Sequence, residues 1–215
     1  MSRFSAVFFD LDGTLTDPGS GITATIRGVL ATLGINPPPR EELKWCVGPP
    51  LREIFVRLLE PAGKSDLAEQ AAALYMRHYA EAGAAESTVY SGVNEMLAEL
   101  RAAARLFVVT SKNTTTAERI LGMRALRRHF EGVAGNARLD DKSDMVRELI
   151  ERERIDRAAA AIVGDRAHDI VAGKRNGIFT IGVTYGYGSR DELAAAGADR
   201  ICESPAEVAR LIISA

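Results

Sequence analysis

The sequence predicts an α/β chain, a parallel sheet covered by helices on both faces, with an all-helical domain inserted after the first strand. Three observations predict it. Short apolar, β-prone runs alternate with amphipathic stretches over the C-terminal half, the long segment after the first such run holds helical periodicity and no credible strand, and 215 residues suffice for one full domain plus a smaller inserted one. The expected boundaries are residues 1–17 and 88–215 for the core and 18–87 for the helical insertion.

Ala6-Val7-Phe8-Phe9 is too short and too β-prone for a helix, which makes it a buried strand, and it runs directly into Asp10-Leu11-Asp12-Gly13. Apolar residues then recur with helical spacing from Gly21 to about Leu33, and Gly34 is placed to end that helix. Pro37-Pro38-Pro39 breaks the chain, and further helical stretches are expected over residues 41–46, 51–59 and 66–82. After Gly92, the spacing of Met96, Leu97 and Leu100 marks a helix leading to a second strand, Leu106 to Val109, which ends in Thr110-Ser111-Lys112. The alternation repeats with a helix from Thr115 to Leu121, a short strand near Gly132 to Ala134, a helix from Ser143 to Glu153, a strand from Ala160 to Val163, a helix around Ile170 and a strand from Ile178 to Val183. Ser189-x-x-Glu192 and Ser204-Pro205-Ala206-Glu207 have the capping-box pattern, the second with proline at the first helical position, so two short helices follow. Strands separated by helices require right-handed crossovers and therefore a parallel sheet.

With 47% hydrophobic residues, 26% charged residues and a net charge of −2, the chain is an ordinary globular protein with neither a polybasic nor a polyacidic partner. Basic residues alternate with acidic ones, as in Glu151-Arg152-Glu153-Arg154, which describes solvated helix faces and excludes a nucleic-acid surface. Cys46 and Cys202 lack any metal or redox spacing and are expected to be free thiols, while His78, His129 and His168 lack ligand spacing and are expected at the surface. The N-terminal run has no signal-peptide pattern and no apolar stretch approaches ~20 residues, so a cytoplasmic protein without a membrane span is expected.

In an open parallel sheet, ligands bind beyond the carboxyl ends of the strands, and four polar clusters fall there: Asp10 with Asp12, Thr110 with Ser111, Lys142 at the start of a helix, and Asp165 with Asp169. Carboxylates converging on one point repel unless a cation neutralises them, and an all-oxygen set suits Mg²⁺, whose remaining positions are commonly completed by a substrate phosphate. Lys142 and the Thr110 hydroxyl are then available for phosphate oxygens. Asp10 is assigned as nucleophile, with Asp12 protonating the leaving alkoxide and later activating water. Each residue has a plainer use. Thr110 could cap a helix, although Asn113 or Thr114 can do so instead; Lys112 competes with Lys142; and Asp169 could serve only the dipole of its own helix.

Asp-Leu-Asp-Gly-Thr-Leu-Thr-Asp at 10–17, Val-Val-Thr-Ser-Lys at 108–112, Lys142 and Gly-Asp-Arg-Ala-His-Asp-Ile at 164–170 resemble, in order and spacing, the four motifs of the haloacid dehalogenase-like hydrolase superfamily, closest to its phosphoglycolate phosphatase branch. The resemblance spans nearly the whole chain. It implies a Rossmann-like core, a helical cap inserted after the first motif, and metal ligation by Asp10, the Asp12 backbone carbonyl and Asp165, with Asp169 nearby. Lys142 departs from the pattern in being followed by Ser143-Asp144 where many relatives have Lys-Pro. The cap segment holds Trp45, Gly48-Pro49-Pro50 and Arg52, none of which names a substrate. Phosphoglycolate is the first expectation, because of the branch and because Arg52 could pair with a carboxylate.

Other functions fit the same motifs less fully. A phosphomutase or phosphotransferase would pass the phosphoryl group to a hydroxyl instead of water. A receiver-type signalling module shares the clustered Asp, Mg²⁺, hydroxyl and lysine but carries no helical insertion. The expected partner is a small phosphorylated metabolite, with no nucleic acid and no membrane, in a monomer or homodimer.

Overall fold

The computed structural model describes residues 3–47, 51–81, 86–135 and 142–214; the Gly48-Pro49-Pro50 turn and Ala82 lie outside the described residues. The chain divides into two units, one formed by residues 1–17 and 89–215 and the other by residues 18–88.

The first unit is built on a six-stranded parallel sheet. Its strands are β1 (Ala6–Phe9), β4 (Arg105–Thr110), β5 (Gly132–Gly135), β6 (Ala160–Gly164), β7 (Phe179–Val183) and β8 (Arg200–Cys202), in the spatial order β5-β4-β1-β6-β7-β8. β1 sits between β4 and β6, with Phe9 opposite Val108 on one side and Val163 on the other. The strand order reverses at β1, and that reversal opens a crevice at the carboxyl ends of β1, β4 and β6. The apolar runs account for this arrangement: Phe8, Phe107, Val109 and Ile162 form a core cluster with Met145, Val146, Leu149 and Ile150 of α6 (Lys142–Glu153) and Ala172 of α7 (Ala167–Asn176). Val7, Phe9, Leu106, Val108, Ala161 and Val163, whose side chains alternate to the opposite face, are equally buried, so both faces are covered. Burying each such side chain contributes roughly 1.5–3 kcal/mol before the loss of chain entropy is counted.

Helices α4 (Val93–Leu100), α5 (Thr114–Met123), α8 (Arg190–Ala195) and α9 (Pro205–Ile213) complete the unit. Asn113 caps α5 by accepting from the Thr116 N–H at 2.8 Å, which leaves Thr110 free of that duty. Ser189 and Ser204 cap α8 and α9 through the N–H groups of Glu192 and Glu207. Only half of each expected capping box forms, because Glu207 accepts from the N–H of Glu203 and Glu192 from that of Ala167.

Three expectations need correction. β8 has no counterpart in the sequence reading, since three residues are too few to show an alternation. The short strands β2 (Thr16–Asp17) and β3 (Thr88–Val89), which pair with each other, were not anticipated either. His129 is buried, not superficial, and burial together with Arg128 and Arg101 lowers its pKa, which keeps the ring neutral.

The second unit is helical: α1 (Gly19–Thr32), a 3-10 helix over Arg40–Cys46 where a helical stretch over 41–46 was expected, α2 (Leu51–Leu59) and α3 (Ala68–Glu81). α1 ends at Leu33 with Gly34 in the left-handed region at φ 70°, a conformation that suits glycine at this position. Phe55 of α2 meets Tyr75 of α3 edge-on at 6.2 Å, and Tyr75 stacks on Tyr79 one turn later at 5.4 Å. Trp45 is half-buried beneath the Arg57 guanidinium, 4.2 Å from the ring centroid.

Candidate active site

The nucleophile candidate Asp10 follows β1 directly, and its N–H still donates to Val163 of β6 at 3.0 Å, so the central strand of the sheet delivers it to the crevice. Asp165 follows β6 in the same way. Asp169 lies one turn into α7, where its Oδ2 accepts from the N–H of Arg166 at the helix N-cap and satisfies one of the otherwise unpaired donors there. Lys142 is the first residue of α6. Its buried Nζ donates to Oδ1 of Asp10 at 2.6 Å and to Oδ1 of Asp169 at 2.5 Å. Asp169 therefore both holds the start of its own helix and faces Lys142.

Asp10, Asp165 and Asp169 are all buried, and each offers an oxygen within 4.8 Å of the others. Burial pushes the Asp10 carboxyl well above its usual range; Lys142 opposes this, and the charges of Asp169 and Asp165 reinforce it. Burial likewise raises Asp165 to about 6, against the Tyr187 N–H that favours its charged form. Burial alone would lower the pKa of Lys142, but the adjacent Asp10 and Asp169 charges prevail and hold it above its ordinary value. Among the described residues, one lysine thus faces three carboxylates, and the site carries excess negative charge with oxygen donors only. That donor set fits a hard divalent cation such as Mg²⁺.

Asp165 is packed tightly. Gly13 adopts φ 92°, and a Cβ there would lie 2.2 Å from Oδ2 of Asp165, so no side chain fits between the first loop and this carboxylate. The Thr14 hydroxyl donates to Oδ1 of Asp165 at 3.4 Å. The Asp12 carboxylate stands outside the three-carboxylate group: its Oδ2 pairs with Nζ of Lys112 at 2.7 Å and its Oδ1 accepts from Thr16 at 3.5 Å. Thr110 ends β4 in a buried position, and its hydroxyl accepts from the Lys112 N–H at 3.2 Å, while Ser111 beside it is exposed. Arg52 belongs to the helical unit, where its Nε pairs with Oε1 of Glu69 at 2.7 Å on an exposed surface.

Sequence reasoning overlooked the Tyr185-Gly186-Tyr187-Gly188 loop, whose Tyr187 N–H donates to Oδ2 of Asp165 at 2.8 Å. Two glycines interleaved with tyrosines straight after a strand were the available signal. It read Glu192 only as half of a local capping box, whereas its Oε1 accepts from Ala167 N–H at 2.8 Å and from Arg166 Nε at 2.9 Å, and so secures the start of α7.

A model of the haloacid dehalogenase-like hydrolase family matches residues 7–183. The chain is 35% identical to a 5'-nucleotidase of Pseudomonas aeruginosa over 218 aligned residues, covering 99% of this chain and 97% of that protein. It is 32% identical to a phosphoglycolate phosphatase of Neisseria meningitidis, with 93% of this chain and 88% of that protein covered. Among solved structures, the protein tyrosine kinase A (PtkA) of Mycobacterium tuberculosis superposes with a TM-score of 0.79 at 32% identity, covering 98% of each chain.

Proposed function

Because the chain belongs to the haloacid dehalogenase-like hydrolase family and is a phosphatase, we propose that it hydrolyses a small phosphorylated metabolite in the cytoplasm, in a Mg²⁺-dependent reaction through an aspartyl-phosphate on Asp10. The observation that carries this reading is the buried Asp10, held by Lys142 among carboxylates at the carboxyl ends of the central strands.

Asp10, Asp165 and the Asp12 backbone carbonyl would hold Mg²⁺, with Asp169 beside them; the ion would offset negative charge on the transferring phosphoryl group. A carboxylate must be ionised to attack phosphorus, and the Lys142 ammonium favours that form of Asp10. An oxygen of Asp10 forms the bond to phosphorus while the ester oxygen departs, taking a proton from Asp12 to leave as the alcohol. Water then attacks the aspartyl-phosphate, Asp12 receives its proton, and inorganic phosphate and the Asp10 carboxylate are released. Lys112, which pairs with Asp12, and the Thr110 hydroxyl complete the polar lining on the β4 side. The cap role of the helical unit, residues 18–87 in the sequence reading, belongs to this proposal.

Phosphoglycolate is the first ester to test. A nucleoside 5'-monophosphate is the second, supported by the 35% identity to a 5'-nucleotidase, while Arg52, on which recognition of a glycolate carboxylate was to rest, is paired with Glu69 at an exposed surface. Phosphoryl transfer to a hydroxyl, the alternative in the motifs, gains interest from the PtkA-like fold. The test is release of inorganic phosphate from a panel holding both esters, with Mg²⁺ or EDTA, for the wild type and Asp10→Asn. Mg²⁺-dependent release lost in the variant supports hydrolysis. Transfer of phosphate to an added alcohol or sugar without release would replace it with the transferase reading.

A further inference from the structure

Asp165 is held by more than the strand that precedes it. The loop that follows β7, residues 184–188, closes over this carboxylate. Besides the Tyr187 N–H bond to its Oδ2 at 2.8 Å, a Cβ at Gly186 would lie 2.6 Å from the Asp165 Cβ, and one at Gly188 would lie 1.8 Å from the Asp165 carbonyl oxygen. Neither position admits a side chain, so the loop can lie this close only as Gly-x-Gly.

The same loop is tied to the segment that follows Asp12. The Tyr185 hydroxyl donates to the Thr14 carbonyl at 3.1 Å, and the Tyr187 hydroxyl donates to the Asp17 carboxylate. Tyr90 joins the cluster, hydrogen-bonded to Tyr187 and edge-on to Tyr185 at 5.3 Å. Tyr187 is thus anchored at both ends, its main chain on Asp165 and its half-buried side chain on Asp17.

We propose that Tyr187 is a positioning residue for the carboxylate cluster: its hydroxyl bond to Asp17 fixes the loop so that its N–H orients Asp165 toward a divalent cation. The inference rests on the Mg²⁺-dependent reading above and assigns to that site two residues, Tyr187 and Asp17, that supply no ligand. Partners of this kind tune metal affinity by about 10–100-fold, because a carboxylate already held in its binding rotamer loses less freedom on ligation.

Tyr187→Phe keeps the backbone N–H and the ring and deletes only the hydroxyl. Asp17→Asn keeps an acceptor for that hydroxyl, and Asp17→Ala removes it. The midpoint of the Mg²⁺-induced rise in melting temperature, read on the full-length protein, is expected to shift to about tenfold higher Mg²⁺ in Tyr187→Phe and Asp17→Ala. The double variant should shift no further, and Asp17→Asn should stay near the wild type. A lower melting temperature at every Mg²⁺ concentration with an unchanged midpoint would reduce the Tyr187–Asp17 bond to a packing contact and overturn the inference. A wild type whose melting temperature ignores Mg²⁺ would instead overturn the metal-dependent reading beneath it.

Discussion

The ammonium of Lys142 lies 2.6 Å from Oδ1 of Asp10, although 132 residues separate the two in the chain. Neither is accessible, so each is the other's substitute for solvent. Lys142→Met should therefore leave Asp10 and Asp169 without their shared cation and destabilise the metal-free protein by about 3–5 kcal/mol. Removing one such charge from a transition state costs on the order of 10²–10³ in kcat. Urea unfolding in EDTA and phosphate release in Mg²⁺ check the two parts separately.

Asp10→Asn should behave in the opposite way toward stability. Burial and two neighbouring carboxylates disfavour the charge on Asp10, and an amide relieves part of that repulsion while Lys142 keeps Asp169. Turnover is expected to vanish while the melting temperature in EDTA stays level or rises. A fall of several degrees would mean that Lys142 needs both carboxylates.

Asp165 sets a pH window. Its folded pKa of about 6 lies above the ordinary value of 3.8, so the folded state binds its proton more tightly than the unfolded state. Its contribution to the metal-free fold is therefore fully present below about pH 4 and is lost as pH rises through about 6. Mg²⁺ needs the ionised form, so the ion's stabilising effect should be large at pH 7.5 and small at pH 5. Unfolding curves at these two pH values, with and without Mg²⁺, test both statements; equal Mg²⁺ effects would refute the second.

Glu192 should matter through the backbone of α7 more than through its charge. Its ion pair with Arg166 is partly exposed and contributes little, whereas the bond to the Ala167 N–H acts as a helix cap worth about 0.5–2 kcal/mol. Glu192→Gln retains that acceptor and should stay within about 0.5 kcal/mol of the wild type, while Glu192→Ala should show the full cap loss in urea.

Most of the sheet was legible because its strands are continuous apolar runs, the pattern that a strand buried on both faces must have. The carboxylates were legible because acidic residues directly after such runs have no place in a core. What escaped depends on partners distant in sequence. Glu192 matches a local capping pattern, yet its carboxylate crosses to another helix. His129 sits beside Arg127 and Arg128 and reads as surface, while the fold buries its ring. The tyrosines of the 185–188 loop went unread because only their closeness to Asp165 gives them a use.

The central position of β1 also governs the order in which the protein can assemble. Ala6 pairs with Arg105 and with Ala160, so the first strand leaves the ribosome long before either neighbour exists. The helical unit, whose residues lie between 18 and 88, can complete its own contacts meanwhile. Contacts so far apart in the chain slow folding, and an apolar strand left waiting is exposed to aggregation. Asp10 and Asp165 sit at the ends of β1 and β6, so the pairing of these two strands also brings them together. Recovery of activity during refolding would consequently report the docking of β6 on β1, the pairing that joins residues more than 150 apart in the chain.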